Sequence, residues 1–148
     1  MPADDDGAPS VREAIGADAR RIAALAVQLG YDVPLAHVER RLAARDAASE
    51  VFVGIVARVG VVGWVAATVR ETLLSSRRAE IDGLVVDDEY RGIGLGGALV
   101  RRAEAWAARR ECARIRVLSN VVRERAQAFY ARAGYDLVKT ESVFEKRL

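Results

Sequence analysis

Apolar positions in this chain change their spacing several times, and each change marks an element. Ile22, Leu25, Ala26 and Leu29 recur at three- and four-residue intervals, which predicts one buried face of a helix that Asp18 can cap and Gly30 stops. Leu35, Val38 and Leu42 repeat that spacing, and Pro34 suits a first turn, so a second helix is predicted over residues 34–45. Residues 51–57 and 61–70 are instead crowded with β-branched side chains around the turn Arg58-Val59-Gly60, the mark of a hairpin. Further strands are predicted at 11–15, 79–86, 113–118, 135–138 and 142–146. Two more helices are predicted, one from near Leu95 to Arg110 and one ending near Ala133. The order β-α-α-β-β-β-α-β-α-β-β belongs to a mixed α/β (α+β) domain. Residues 1–10, with Asp4-Asp5-Asp6 and two prolines, read as a disordered tail, and residues 11–148 as a single domain.

Composition removes several function classes. The 148 residues carry a net charge of +2, with Lys and Arg spread along the chain, so a nucleic-acid face is not implied. No run approaches the roughly 18 uninterrupted apolar residues of a membrane span, and the acidic N-terminus lacks a signal peptide's apolar segment, which leads to the expectation of a cytoplasmic protein. Cys112 is the single cysteine and His37 the single histidine, so neither an internal disulfide nor a dedicated metal site is expected.

The chemistry concentrates in Tyr90-Arg91-Gly92-Ile93-Gly94-Leu95-Gly96-Gly97, between a predicted strand and a predicted helix. Glycines let the backbone curl with its N–H groups inward, and the helix adds its free N–H groups and positive dipole end, so the loop suits a phosphate or pyrophosphate. A Walker loop is excluded because Gly96-Gly97 is followed by Ala98-Leu99 instead of Lys and a hydroxyl residue. Gly92, Gly94 and Gly97 do spell the dinucleotide fingerprint. The acidic ribose ligand expected roughly 20 residues on is replaced by Ile115-Arg116-Val117-Leu118, and too little chain follows for a doubly wound sheet.

Arg91, Gly94 and Gly96 fit a third pattern, Arg/Gln-x-x-Gly-x-Gly/Ala. With the strand Ile81-Asp82-Gly83-Leu84-Val85-Val86 and the later Arg123-x-x-Ala126-x-x-Phe129-Tyr130-x-x-x-Gly134-Tyr135, the chain resembles the GNAT superfamily of acyl-CoA-dependent N-acetyltransferases. The resemblance implies the GNAT fold, a central mixed sheet of six to seven strands with about four helices. It also implies acetyl-CoA as co-substrate and no metal. Arg91 and the amides of Gly92, Ile93, Gly94, Leu95, Gly96 and Gly97 would cradle the pyrophosphate. Leu84, Val85 and Val86 would lie on a bulged strand splayed from its parallel neighbour and hold the pantetheine arm, with the Val86 N–H donating to the thioester oxygen.

Acetyl transfer further requires stabilisation of the departing thiolate and removal of a proton from an alkylammonium near pKa 10. The resemblance implies that Tyr130 serves the first task by donating a proton to the leaving coenzyme A thiolate. Glu80 or a water chain would serve the second, with Asp82 as a further acidic group that could hold a cationic acceptor. The common family pattern has Asn three residues before the alanine equivalent to Ala126. Here Arg123 stands at that place and Asn120 three residues earlier, so either could touch pantetheine.

The acceptor region implied by the family includes Tyr31, Asp32, His37 and residues 140–144. The stretch Lys139-Thr140-Glu141-Ser142-Val143-Phe144 resembles a subset that includes aminoglycoside-type and small-amine acetyltransferases. Trp64, Trp106 and Cys112 read as packing residues. The expected activity is therefore N-acetylation of a small primary amine in a ternary complex, with a possible homodimer. The alternatives are a protein lysine or N-terminal acetyltransferase and a non-catalytic acyl-CoA-binding module.

Overall fold

The structure is a computed structural model that describes residues 8–44, 46–119 and 122–148. It contains the strands β1 (Ser10–Glu13), β2 (Ser49–Val56), β3 (Gly60–Thr72), β4 (Ser75–Val86) and β5 (Ile115–Val117). The helices are α1 (Ala19–Gln28), α2 (Leu35–Ala43), α3 (Leu95–Arg109) and α4 (Glu124–Arg132). The chain divides into two compact units, residues 1–118 and 119–148.

In the first unit the strands form one sheet in the order β1-β2-β3-β4-β5, antiparallel except for the parallel β4–β5 pair. Two apolar layers cover it. Ile22 and Leu25 of α1 and Val38 of α2 pack with Val53, Val61 and Val85 on one face. On the other, α3 lies close enough that a Cβ at Gly54 would come within 2.6 Å of Leu95 and one at Gly63 within 3.3 Å of Leu99. These two fully buried leucines each contribute roughly 1.5–3 kcal/mol, and the glycines opposite them are what allow the helix so near the sheet.

Asp18 stands at the N-terminal boundary of α1, yet its carboxylate makes no cap bond to that helix. It turns back instead to accept from the Ile15 N–H at 2.8 Å and from both terminal nitrogens of Arg12, at 2.7 and 3.0 Å. The 3-10 turn Gly16–Asp18 brings these groups together. The guanidinium beside Asp18 outweighs the cost of burying its charge and holds the carboxyl below its usual pKa.

The β3–β4 hairpin runs further than the sequence suggests, with Thr72 paired to Ser75 and Leu73 and Leu74 fully exposed at its tip. No glycine or asparagine marks that turn, which is why the ends of both strands escape sequence reading.

In the second unit α4 is followed by irregular chain, so the strands expected at 135–138 and 142–146 are absent and the sheet has five strands instead of six to seven. A strand exists through its ladder partners, and this segment has none among the described residues. Its apolar side chains stand in solvent, Leu137 at 85% and Phe144 at 94% exposure.

Candidate functional site

β4 changes character halfway along. Ala66 pairs with Gly83 but Ala67 with Ile81, which leaves Asp82 as the extra residue of a bulge. On its other side β4 is paired to β5 only through Ala79, Glu80 and Ile81, so residues 82–86 have no strand beside them there among the described residues. Leu84, Val85 and Val86 lie in this stretch, still paired to β3 on the opposite edge. The Asp87 N–H donates to the Val62 carbonyl of β3 at 2.8 Å. Because successive N–H groups of an extended strand point to opposite edges, the Val86 N–H is turned to the open one. The resemblance implies a bulge in this strand, and the bulge is present.

The open edge leads directly into the glycine loop. Asp87 opens a 3-10 turn, Asp88–Tyr90, by accepting from the Glu89 N–H at 3.2 Å, a bond that lowers its pKa despite partial burial. The same carboxylate is reached by Gln28 at 3.4 Å and Arg21 at 3.3 Å, and the Gln28 amide oxygen accepts from the Asp88 N–H at 3.0 Å. Side chains of α1 thus moor the start of the loop, a role that the helical spacing of Arg21 and Gln28 does not announce.

Gly92 and Gly94 follow with φ of 83° and 82°, a region costly for other residues. Gly94 is the N-cap of α3, with no side chain capping it, and the first amide of the helix to reach a carbonyl behind it is that of Ala98, on Gly94 at 3.1 Å. The N–H groups of Leu95, Gly96 and Gly97 therefore have no intrahelical acceptor. The Arg91 guanidinium stands 2.6 Å from Asp88, while Ile93 is exposed and Leu95 is turned into the core. Such a cradle of free amides with one cation accommodates a pyrophosphate.

A cavity of about 540 Å³ lies between α1, α2 and the sheet. Tyr31 and His37 line it as expected, whereas Asp32 does not. The bulge turns two consecutive residues, Asp82 and Gly83, to this cavity, and Thr68 beside them donates its hydroxyl hydrogen to Asp82. Asp46 and Glu50 add two more carboxylates, and Arg41 and Arg110 two guanidinium groups. Glu80 is one step removed, half-buried and 3.3 Å from the Arg70 guanidinium.

Trp64 packs against the core as expected and has a second role. It is half-buried and forms cavity wall, its indole N–H donating to the Ile22 carbonyl at 3.2 Å. A Cβ at Gly83 would lie 2.8 Å from its ring. Trp106 is buried as expected, and Cys112 is only half-buried, close behind α3.

The second unit carries Tyr130 and Arg123. Helix α4 ends in a paired cap, with the Tyr135 N–H on the Tyr130 carbonyl at 2.9 Å and the Gly134 N–H on Ala131 at 3.1 Å. The same cap sets the Tyr135 ring edge-on to Tyr130 at 5.6 Å, and the Phe129 ring is also edge-on to Tyr130, at 5.2 Å. The Gly134-Tyr135 pair in the sequence is thus the device that fixes the Tyr130 ring. Burial pushes the Tyr130 phenol up to about 12, so it stays protonated at neutral pH. Arg123 is the N-cap residue of α4, and Asn120 lies outside the described residues. Among the described residues no group of three or more His, Cys, Asp and Glu side chains is placed to hold a metal ion, and no helix is long and apolar enough to cross a membrane.

Comparison with known proteins agrees with this fold. A profile of the Acetyltransferase (GNAT) family matches residues 18–135. An aminoglycoside N(6')-acetyltransferase type 1 from Stenotrophomonas maltophilia is 29% identical over 147 residues, which cover 95% of this chain and 94% of that protein. An aminoglycoside 6'-N-acetyltransferase from Acinetobacter baumannii superposes with a TM-score of 0.82 at 20% identity, over 95% of this chain and 99% of that one. A further aminoglycoside N-acetyltransferase, solved in complex with CoA, gives a TM-score of 0.87 at 15% identity over 100% and 99% of the two chains. At these identities the superpositions establish a common fold.

Proposed function

The chain belongs to the GNAT family of acetyltransferases and is an acyltransferase, and from that premise we propose that it moves an acetyl group from acetyl-CoA to a primary amine of a small molecule. The observation that carries the reading is the stretch of β4 at residues 82–86, open on the β5 side and running into a glycine loop of unpaired amides. A strand edge offers alternating donors and acceptors that amide groups of a pantetheine arm can match, and the loop and Arg91 supply donors for the pyrophosphate. Either Asn120 or Arg123 adds the contact to pantetheine at the start of α4. The cavity beside the open edge receives the acceptor, and its three acidic residues, Asp82, Asp46 and Glu50, outnumber Arg41 and Arg110 on its wall, which favours a cationic one. The aminoglycoside substrates named for the similar enzymes are polyamines and fit that charge.

In the reaction the neutral amine attacks the thioester carbon in a ternary complex, the C–S bond breaks, and one proton leaves the nitrogen. The Val86 N–H donates to the carbonyl oxygen as it gains charge. Glu80 accepts the amine proton through water, since Asp82 and not Glu80 faces the cavity. Tyr130 donates a hydrogen bond to the departing thiolate, an assignment supported by the family motif and by its retained proton. Family resemblance also supports a homodimer, which sedimentation mass tests directly.

The deciding experiment follows free coenzyme A with a thiol-reactive dye in the presence of polyamines, aminoglycosides, amino acids and arylalkylamines. Slow release without an acceptor and fast release with one class is expected. Tight coenzyme A binding with no turnover on any amine would count against the proposal. Arg91→Gln should weaken coenzyme A by roughly tenfold, the value of one charge-assisted contact, and leave pantetheine, which has no pyrophosphate, unaffected.

A further inference from the structure

Arg70 projects from β3 to the two carboxylates of the β4 bulge. Its Nε is 3.3 Å from Glu80 Oε1 and its Nη2 3.7 Å from Asp82 Oδ1. The second oxygen of Asp82 accepts from Thr68, and Asp82 and Thr68 line the cavity while Arg70 stands behind them. One guanidinium is thus shared between two carboxylates, so within this trio negative charge exceeds positive by one, with Arg116 of β5 opposite Glu80 in the strand register and Arg41 and Arg110 elsewhere on the cavity wall. Arg70 is 48% exposed on its side chain against 15% for Glu80, so the cation is the wetter partner and the more readily replaced.

We propose that Arg70 is a positioning residue that sets the charge the acceptor must bring. It occupies the place of one ammonium group, so an acceptor is selected for the positive charge that Glu80 and Asp82 still lack, and a second ammonium group competes with the tethered guanidinium. The inference rests on the cavity being the amine site. It goes further by assigning charge selectivity to a residue outside the cavity wall.

The test is calorimetric titration of the coenzyme A-loaded protein with 1,5-diaminopentane and 1-aminopentane, which differ by one ammonium group. Removing one positive charge a few ångströms from the ligand, in a partly solvated site, should change the ratio of the two affinities by roughly three- to tenfold. Arg70→Gln is therefore expected to raise the preference for the diamine by that factor, and Arg70→Lys to keep the wild-type ratio. A merely structural loss would weaken both ligands alike. An unchanged or smaller ratio in Arg70→Gln, or no diamine uptake by either protein, overturns the proposal. No acetyl transfer enters the measurement. A protein that binds diamines with this Arg70 dependence yet releases no coenzyme A with any amine would refute the acetyltransferase reading and leave the charge assignment standing.

Discussion

Replacing Tyr130 with Phe removes one hydroxyl and little else, because the ring keeps its edge-on contacts with Phe129 and Tyr135. With the phenol raised to about 12 and an ordinary thiol near 8.5, complete proton transfer from Tyr130 to a coenzyme A thiolate runs uphill by about 5 kcal/mol. The group is better suited to donate a charge-assisted hydrogen bond while keeping its proton, a contribution of about 1.5–3 kcal/mol. Tyr130→Phe should then lower kcat by roughly 10- to 150-fold and leave the coenzyme A dissociation constant within about twofold. The pH–rate profile should show no alkaline limb from Tyr130 below about pH 10, since the phenol does not ionise there. The assay is steady-state release of coenzyme A between pH 6 and 10 on both proteins, with cofactor affinity measured separately. An alkaline limb near pH 9 that vanishes in the variant would show that the phenol ionises in the working range and would refute the argument from burial. An unchanged kcat would remove Tyr130 from the chemistry.

Three further outcomes follow from local geometry. Gly83→Ala drives a Cβ to 2.8 Å from the Trp64 ring; overpacking of about 1–3 kcal/mol should lower Tm by roughly 3–10 °C and alter indole fluorescence, whereas Gly16→Ala, with nothing within 4 Å of the new atom, should do neither. The Asp18 carboxyl has its pKa lowered in the fold, chiefly by the hydrogen bonds from Arg12, so its stabilising effect is complete above the unfolded value near 3.9 and is lost as pH falls through the lower folded one. Asp18→Asn should cost about 1–3 kcal/mol at pH 7, and denaturant midpoints of the two proteins should converge on acidification below pH 4; a gap that stays constant down to pH 2 sinks the assignment. Glu111 carries a left-handed φ of 62° at the end of α3, and a negative charge there opposes the helix dipole. Glu111→Gly should raise stability by about 0.5–1 kcal/mol in urea unfolding, and a loss would contradict the strain argument.

What the sequence reveals depends on whether one residue type is forced by its place. Gly92 and Gly94 are legible because their left-handed backbone admits few other residues, and Gly134 because it closes the cap of α4. Ile22, Leu25 and Val38 are legible because helical spacing and burial coincide. The bulge at Asp82 follows from the register of β4 against β3, and no local pattern encodes a register. Glu111 adopts the conformation of Gly134 without being glycine, so its turn carries no signal. The alternation at 135–138 and 142–146 describes strands well enough, but pairing decides whether they form, and pairing is not a property of the segment alone.

The unpaired side of β4 matters also for how the protein behaves when empty. Backbone donors and acceptors at residues 82–86 have no strand partner on that side among the described residues, and such an edge is a template for strand addition by an extended chain. Occupancy by coenzyme A would close that template as well as stabilise the fold by mass action. Shelf life and solubility should therefore track ligand saturation.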